Sequence, residues 1–128
     1  MGFKKVYTKT TEMSYDSRGF LVIRLLSTNE SYDLEEAKLQ HKTALNFTRG
    51  EPYLALVDTL GATVIPSKEA ENYILNVTNR IAEAIVIESL PYRILAKFYL
   101  KKSKHNPTKI FKSKEEAIQW LLSFKQGK

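Results

Sequence analysis

Short apolar runs alternate with stretches of helical periodicity along most of the chain. Val6–Met13 alternates weakly, residues 16–19 read Asp-Ser-Arg-Gly, and Phe20–Leu26 is an apolar run rich in β-formers, so this part predicts a hairpin. Asp33 then stands three residues before Glu36, as in a capping box, and apolar residues recur at helical spacing up to Gly50. This segment is the first predicted helix.

Three further strand–helix units follow. The predicted strands are Tyr53–Val57, Ala84–Ile87 and Thr108–Phe111, and the helices after them begin near Ser67, Pro91 and Ser113. Ile94, Leu95 and Phe98 are expected on one side of the third helix. The order ββαβαβαβα predicts a single α/β domain over residues 1–128, with a mixed, largely parallel sheet covered by helices.

Composition narrows the class of protein. The 128 residues include no cysteine, which excludes a disulfide scaffold and thiolate-ligated metal. No stretch approaches the ~20 apolar residues that span a bilayer, and the first residues have no apolar signal core. These features predict a cytoplasmic protein without a transmembrane segment.

The sequence offers little catalytic chemistry. Its two histidines are His41, on the apolar stripe of the first helix, and His105, in a lysine-rich turn. No histidine or carboxylate spacing is typical of a metal site, and the five glycines form no phosphate-binding loop. We therefore expect no enzymatic activity, no metal and no cofactor.

Charge is distributed unevenly along the chain. Residues 1–92 carry a net charge of −2, whereas residues 93–128 carry +8. Arg93, Lys97 and Lys101 fall at i, i+4 and i+8, so a helix would align them on one face, with Lys104 just beyond. Such a face either binds a polyanion, meaning nucleic acid or anionic lipid, or is simply solvated.

One loop is a candidate contact region. The strand Tyr53–Val57 delivers Asp58, Thr59 and Gly61 to the carboxyl edge of the sheet, where open α/β sheets usually meet ligands and partners, and the chain then runs to Ser67. The other interpretation is that Asp58 ends the strand and the loop only connects two elements.

Three features of the sequence belong together. They are the element order, the strand end Asp58-Thr59-Leu60-Gly61, and a tail with Pro-Thr-Lys-Ile-Phe (residues 107–111) and Glu-Ala-Ile-Gln-Trp-Leu (residues 116–121). In these features the chain resembles the STAS and SpoIIAA-like superfamily. They are most similar to its uncharacterised bacterial SpoIIAA-like branch. The resemblance implies a non-enzymatic, regulatory interaction domain in the manner of anti-sigma factor antagonists, in which a serine of an Asp-Ser-Ser-Gly loop is switched by phosphorylation.

The resemblance can be carried over residue by residue. Asp58 and Gly61 match the family loop, Thr59 replaces its first serine, and Leu60 stands at the phosphorylated position. Ser67, directly before a helix, is either the alternative phosphoacceptor or simply the N-cap.

The resulting hypothesis is a non-catalytic domain that binds another protein, or a second copy of itself, through Asp58, Thr59, Gly61 and Ser67. The alternative is polyanion or anionic-lipid binding through Arg93, Lys97, Lys101 and Lys104. A third hypothesis, an apolar-ligand carrier, comes from the lipid-binding relatives of the superfamily, and the sequence identifies no pocket for it.

Overall fold

Six strands and four helices make up the computed structural model, which describes residues 4–59, 62, 64–77, 79–102 and 107–126. In chain order they are β1 (Lys5–Tyr7), β2 (Thr11–Asp16), β3 (Phe20–Leu25), α1 (Leu34–Thr48), β4 (Tyr53–Asp58), α2 (Lys68–Leu75), β5 (Arg80–Val86), α3 (Leu90–Lys102), β6 (Thr108–Phe111) and α4 (Lys114–Gln126).

The strands form one sheet in the order in which they occur along the chain. β1, β2 and β3 pair antiparallel, whereas β3, β4, β5 and β6 pair parallel through the three strand–helix–strand connections. The predicted mixed, largely parallel α/β sheet is therefore confirmed.

Alternate residues of the central strands enter two cores on opposite faces of the sheet. On one face, Leu54 and Leu56 pack with Ile118 and Leu121 of α4. On the other, Ala55 packs with residues that include Ala44 of α1. The helix α4 therefore packs on one face of the sheet, and α1 packs on the opposite face.

Three helices begin as their sequence signals predict. The side chains of Asp33, Ser67 and Ser113 accept hydrogen bonds from the backbone N–H groups of Glu36, Ala70 and Glu116, over 3.0, 3.1 and 3.3 Å. α1 ends at Thr48, followed by Arg49 and Gly50 with φ of 56° and 77°.

The first predicted strand is two strands, so the order is βββαβαβαβα rather than ββαβαβαβα. The break at residues 8–10 has a physical cause, because Thr8 and Thr10 turn their donors toward the Glu36 carboxylate of α1. Of the apolar residues predicted on one side of the third helix, Ile94 is 49% exposed. The side chains of Leu95 and Phe98 lie outside the described residues.

Candidate functional site

A largely apolar cavity of about 790 Å³ lies between the sheet and the helices α1, α2 and α3. Its floor consists of residues from three neighbouring parallel strands and their ends: Ile23, Leu25, Val57, Ile85 and Ile87. Within each strand these residues are two positions apart, so the pleat turns all of them to the same face. The alternate residues Leu56, Ala84 and Val86 face α4 instead.

Helices and a connecting segment form the cavity walls. Ile74 comes from α2, Tyr92 and Ala96 from α3, and the segment between β4 and α2 contributes Ala62, Val64, Ile65 and Pro66. α2 leans against α1, where the His41 Nδ1 atom and the Tyr73 hydroxyl lie 2.9 Å apart. This contact holds α2 toward one side of the sheet and leaves the floor beside it open to the cavity.

Polar side chains line one part of the cavity. Arg80 donates from Nη1 to Glu83 Oε2 over 2.5 Å, and these side chains are only 12% and 6% exposed. The Tyr32 hydroxyl donates to Gln40 Oε1 over 2.8 Å, and Gln40 donates in turn to Glu36. Burial raises the pKa of Tyr32 far above its ordinary value, so the phenol stays a neutral donor.

The segment between β4 and α2 is attached at both ends. The Thr59 hydroxyl donates to the Val86 carbonyl over 2.6 Å, and the Ser67 backbone N–H donates to the Tyr32 carbonyl over 2.9 Å. A β-bridge joins Tyr32 to Pro66. The cavity wall that this segment forms is therefore tied to β5 at one end and to the approach of α1 at the other.

Of the four residues predicted to form a partner-binding loop, the three that the structure describes do not share one exposed surface. Asp58 is 1% exposed and points to the α4 face, with Oδ2 3.7 Å from Lys114 Nζ. Thr59 lines the cavity on the opposite face, and Ser67 caps α2. Gly61 lies outside the described residues.

Two of the four cations predicted to bind a polyanion, Lys97 and Lys101, are exposed on α3. Arg93 is half-buried and donates from Nη1 to the carbonyls of Ile87 and Glu88, over 3.1 and 2.7 Å, because the chain leaving β5 passes within its reach. Lys104 lies outside the described residues.

The histidines and acids form no further centre in the described part. His41 is half-buried, between Tyr73 and the Asn79 side chain at 3.4 Å, while His105 lies outside the description. Across the described ranges, no group of three or more His, Asp or Glu residues is arranged to hold a metal ion. No helix in those ranges is long and apolar enough to cross a membrane.

Sequence reasoning missed the cavity, although part of its signal was present. Along β5 and the residue after it, the bulky Ile85 and Ile87 stand at odd positions, whereas the even positions include the small Ala82 and Ala84. This difference in size distinguishes a closely packed face from a bulkier one, but it does not show how far the helices stand from the sheet.

A solved structure confirms the fold. The chain matches an uncharacterised protein of the DUF3478 family with a SpoIIAA-like fold from Shewanella loihica PV-4, with a TM-score of 0.60 and 13% sequence identity over 94% of this chain and 92% of the other. At this identity the likeness shows the fold alone, so the chain has a SpoIIAA-like fold. No curated protein matches it. The sequence profile of a family described as Domain of unknown function (DUF7793) matches residues 14–125, and the chain belongs to that family.

Proposed function

We propose that the protein binds a small amphipathic molecule in the cavity between the sheet and α1, α2 and α3. The observation that carries this proposal is the cavity itself, because about 790 Å³ falls within the roughly 300–1,000 Å³ typical of ligand pockets. Its walls are mostly apolar, and a domain that packed only for stability would bury such apolar surface instead of leaving it around an open space.

The lining specifies the chemistry of the ligand. An apolar body fits the aliphatic floor of Ile23, Val57 and Ile85, because binding there removes apolar surface of both the ligand and the floor from water, which is favourable. A polar group of the ligand belongs beside Arg80 and Glu83, where a donor and an acceptor are already held together in a place that is largely shielded from water. The molecule therefore has one long apolar part and one polar end.

The role we infer is binding without catalysis. The ionic groups at the polar part of the lining are engaged with each other, as in the Arg80–Glu83 pair, and the Tyr32 phenol is committed to Gln40. Nucleophilic catalysis needs a base placed to activate a nucleophile, whereas the Thr59 hydroxyl of the lining donates to the Val86 carbonyl.

The test is a titration of the protein with a fluorescent fatty acid, cis-parinaric acid, in the wild type and in two tryptophan variants. Ala96→Trp directs an indole into the cavity, whereas Ile94→Trp places the same indole on the exposed side of the same helix. We expect saturable binding by the wild type and by Ile94→Trp, and at least a tenfold loss of affinity in Ala96→Trp. Circular dichroism checks that both variants are folded.

Native mass spectrometry of the protein as purified provides a second measurement, because a co-purified ligand adds a defined mass. Equal affinity of all three proteins for the probe, or no saturable binding by the folded wild type, would contradict the proposal for this class of ligand.

Protein binding through the segment between β4 and α2 stays a prediction from the sequence, and one observation favours it. Ile65, in that segment, is 60% exposed, although Asp58, Thr59 and Ser67 are engaged within the fold. If a partner docks there, Ile65→Ser should weaken its binding more than Ile81→Ser, which changes an isoleucine that is 45% exposed on β5. Cross-linking in cell extracts followed by quantitative mass spectrometry makes that comparison, and equal recovery with both variants would contradict this contact.

A further inference from the structure

The helix α3 has two chemically different faces. Tyr92 and Ala96 line the cavity. Leu90, Ile94, Lys97 and Lys101 are exposed, and their spacing of i, i+4, i+7 and i+11 places them in one stripe on the opposite side of the helix. We call these four residues the outer stripe of α3.

The outer stripe combines bulky aliphatic groups with cations. Leu90 and Ile94 are 59% and 49% exposed, although burying such side chains is favourable. Lys97 and Lys101 continue the stripe toward the end of the helix, within the part of the chain that carries a net charge of +8. Aliphatic side chains that enter the boundary between headgroups and acyl chains, and cations that attract anionic headgroups, are the two contributions by which a helix binds a membrane surface.

We propose that the outer stripe of α3 binds the surface of anionic lipid bilayers, with the helix lying in the plane of the headgroups. The aliphatic pair enters the boundary between headgroups and acyl chains, and the two ammonium groups contact lipid phosphates. Charge complementarity favours an anionic surface, and the aliphatic pair favours lipid over nucleic acid. A surface for single-stranded nucleic acid would use aromatic side chains for stacking, and the outer stripe contains none.

This surface goes beyond the proposed ligand binding and does not depend on it. If both hold, one helix separates the cavity from the bilayer, because Tyr92 and Ala96 form the inner face of the same α3. An amphipathic ligand would then pass between bilayer and cavity without crossing much water, an advantage that rests on the proposed function.

The experiment measures co-sedimentation of the full chain with vesicles of phosphatidylcholine alone and of phosphatidylcholine mixed with phosphatidylglycerol. The test variant is Ile94→Ser/Lys97→Glu/Lys101→Glu. The matched control changes an exposed leucine and two exposed lysines on α1, as Leu39→Ser/Lys38→Glu/Lys42→Glu, so both variants change the net charge equally. Thermal unfolding establishes that each variant is folded, and the single variants Ile94→Ser and Lys97→Glu are measured beside them.

We expect the wild type to bind mixed vesicles more strongly than phosphatidylcholine vesicles, with weaker binding at high salt. The α3 variant should lose at least about tenfold in partitioning, since each basic residue near an anionic surface contributes roughly fivefold. The α1 variant should lose much less. Each single α3 variant should show an intermediate loss.

Several results would overturn the inference. They are equal losses in the two triple variants, equal binding to both kinds of vesicle, and binding to a labelled oligonucleotide but not to vesicles. Ala96→Trp separates this inference from the proposed function, because it blocks the cavity without touching the outer stripe. If Ala96→Trp loses the fatty-acid probe and keeps vesicle binding, the surface is supported; if the wild type binds the probe and no vesicle, the surface is refuted and the cavity proposal stands.

Discussion

Glu36 provides a sharp test of how this fold is held together. It lies in the first turn of α1 and is 1% exposed. Its Oε2 atom accepts hydrogen bonds from the hydroxyls of Thr8 and Thr10, from the Thr10 backbone N–H and from Gln40 Nε2, over 2.5 to 3.1 Å. Its Oε1 atom accepts a longer bond of 3.3 Å from the Lys9 backbone N–H. One carboxylate thus joins α1 to the segment between β1 and β2.

The perturbation is Glu36→Gln, which keeps the shape of the side chain and removes its charge. The single remaining carbonyl oxygen can occupy the position of Oε2, but the amide nitrogen then faces the Lys9 N–H with donor against donor. The remaining four bonds lose their charge assistance, and such bonds contribute ~1.5–3 kcal/mol each against ~1 kcal/mol for neutral ones. Because the variant also avoids desolvating a carboxylate, we expect a net loss of about 2–4 kcal/mol in the free energy of unfolding.

The effect should depend on pH. Burial by itself would raise the pKa of Glu36, but the hydrogen bonds from Thr8, Thr10 and Gln40 outweigh it and bring the pKa below its ordinary value of 4.5. A lowered pKa in the folded state means that the carboxylate stabilises the fold fully above the unfolded pKa, and that this contribution is lost as pH falls through the folded pKa. The difference between wild type and variant should therefore be largest near neutral pH and shrink below about pH 4.

Urea unfolding followed by circular dichroism, at pH 7 and at pH 3, measures both effects. Glu35→Gln is the matched control, because Glu35 is exposed in the same first turn and its loss removes only a dipole interaction of ~0.3–1 kcal/mol. Indistinguishable unfolding of the two variants at pH 7, or a difference from the wild type that does not change at pH 3, would show that this carboxylate does not stabilise the fold as argued.

Three further substitutions test other parts of the fold by chemical denaturation. Ser67→Ala removes the N-cap of α2 and should lower the free energy of unfolding by ~1 kcal/mol. An unchanged free energy of unfolding would mean that the cap contributes nothing. Leu121→Ala leaves a cavity in the fully buried core under α4 and should lower the free energy of unfolding by ~2–5 kcal/mol. The loss should be larger than that of Leu122→Ala, which changes the half-buried neighbour, and the reverse order would contradict the assignment of Leu121 to the buried face of α4. Gly19→Ala should lower the free energy of unfolding by ~1–2 kcal/mol, because Gly19 has a φ of 105°, which residues with a Cβ rarely adopt. The Lys125 ammonium group near an added Cβ can move aside, so a neutral result would refute this turn geometry.

Local signals carried most of the fold prediction because they act within a few residues of their cause. Asp33, Ser67 and Ser113 each accept a bond from the N–H three residues later, so the sequence alone locates those helix starts. The break between β1 and β2 could not be found in this way. It depends on Glu36, a residue more than twenty positions away that is brought close only by the folded chain.

The orientation of α3 shows a second limit of sequence patterns. The sequence pattern groups Ile94 with Leu95 and Phe98 on one side of the helix, and apolar side chains usually mark the buried side of a helix. The helix instead turns Tyr92 and Ala96 toward the sheet and leaves Ile94 exposed. An apolar stripe indicates a surface that avoids water, and it does not distinguish a core from a surface that a lipid or a partner covers.

Sequence patterns could not locate the cavity, for a reason that lies in the strands themselves. Consecutive residues of a strand point to opposite faces, so Asp58 and Thr59, adjacent in the sequence, lie on different sides of the sheet. A loop motif read along the chain treats such neighbours as one surface, whereas the sheet divides them between α4 and the cavity. Residues that act together at the carboxyl edge of a parallel sheet must instead share a face across strands, as Val57 and Ile85 do. That grouping follows from strand order and register, which are properties of the folded sheet and cannot be read from one strand at a time.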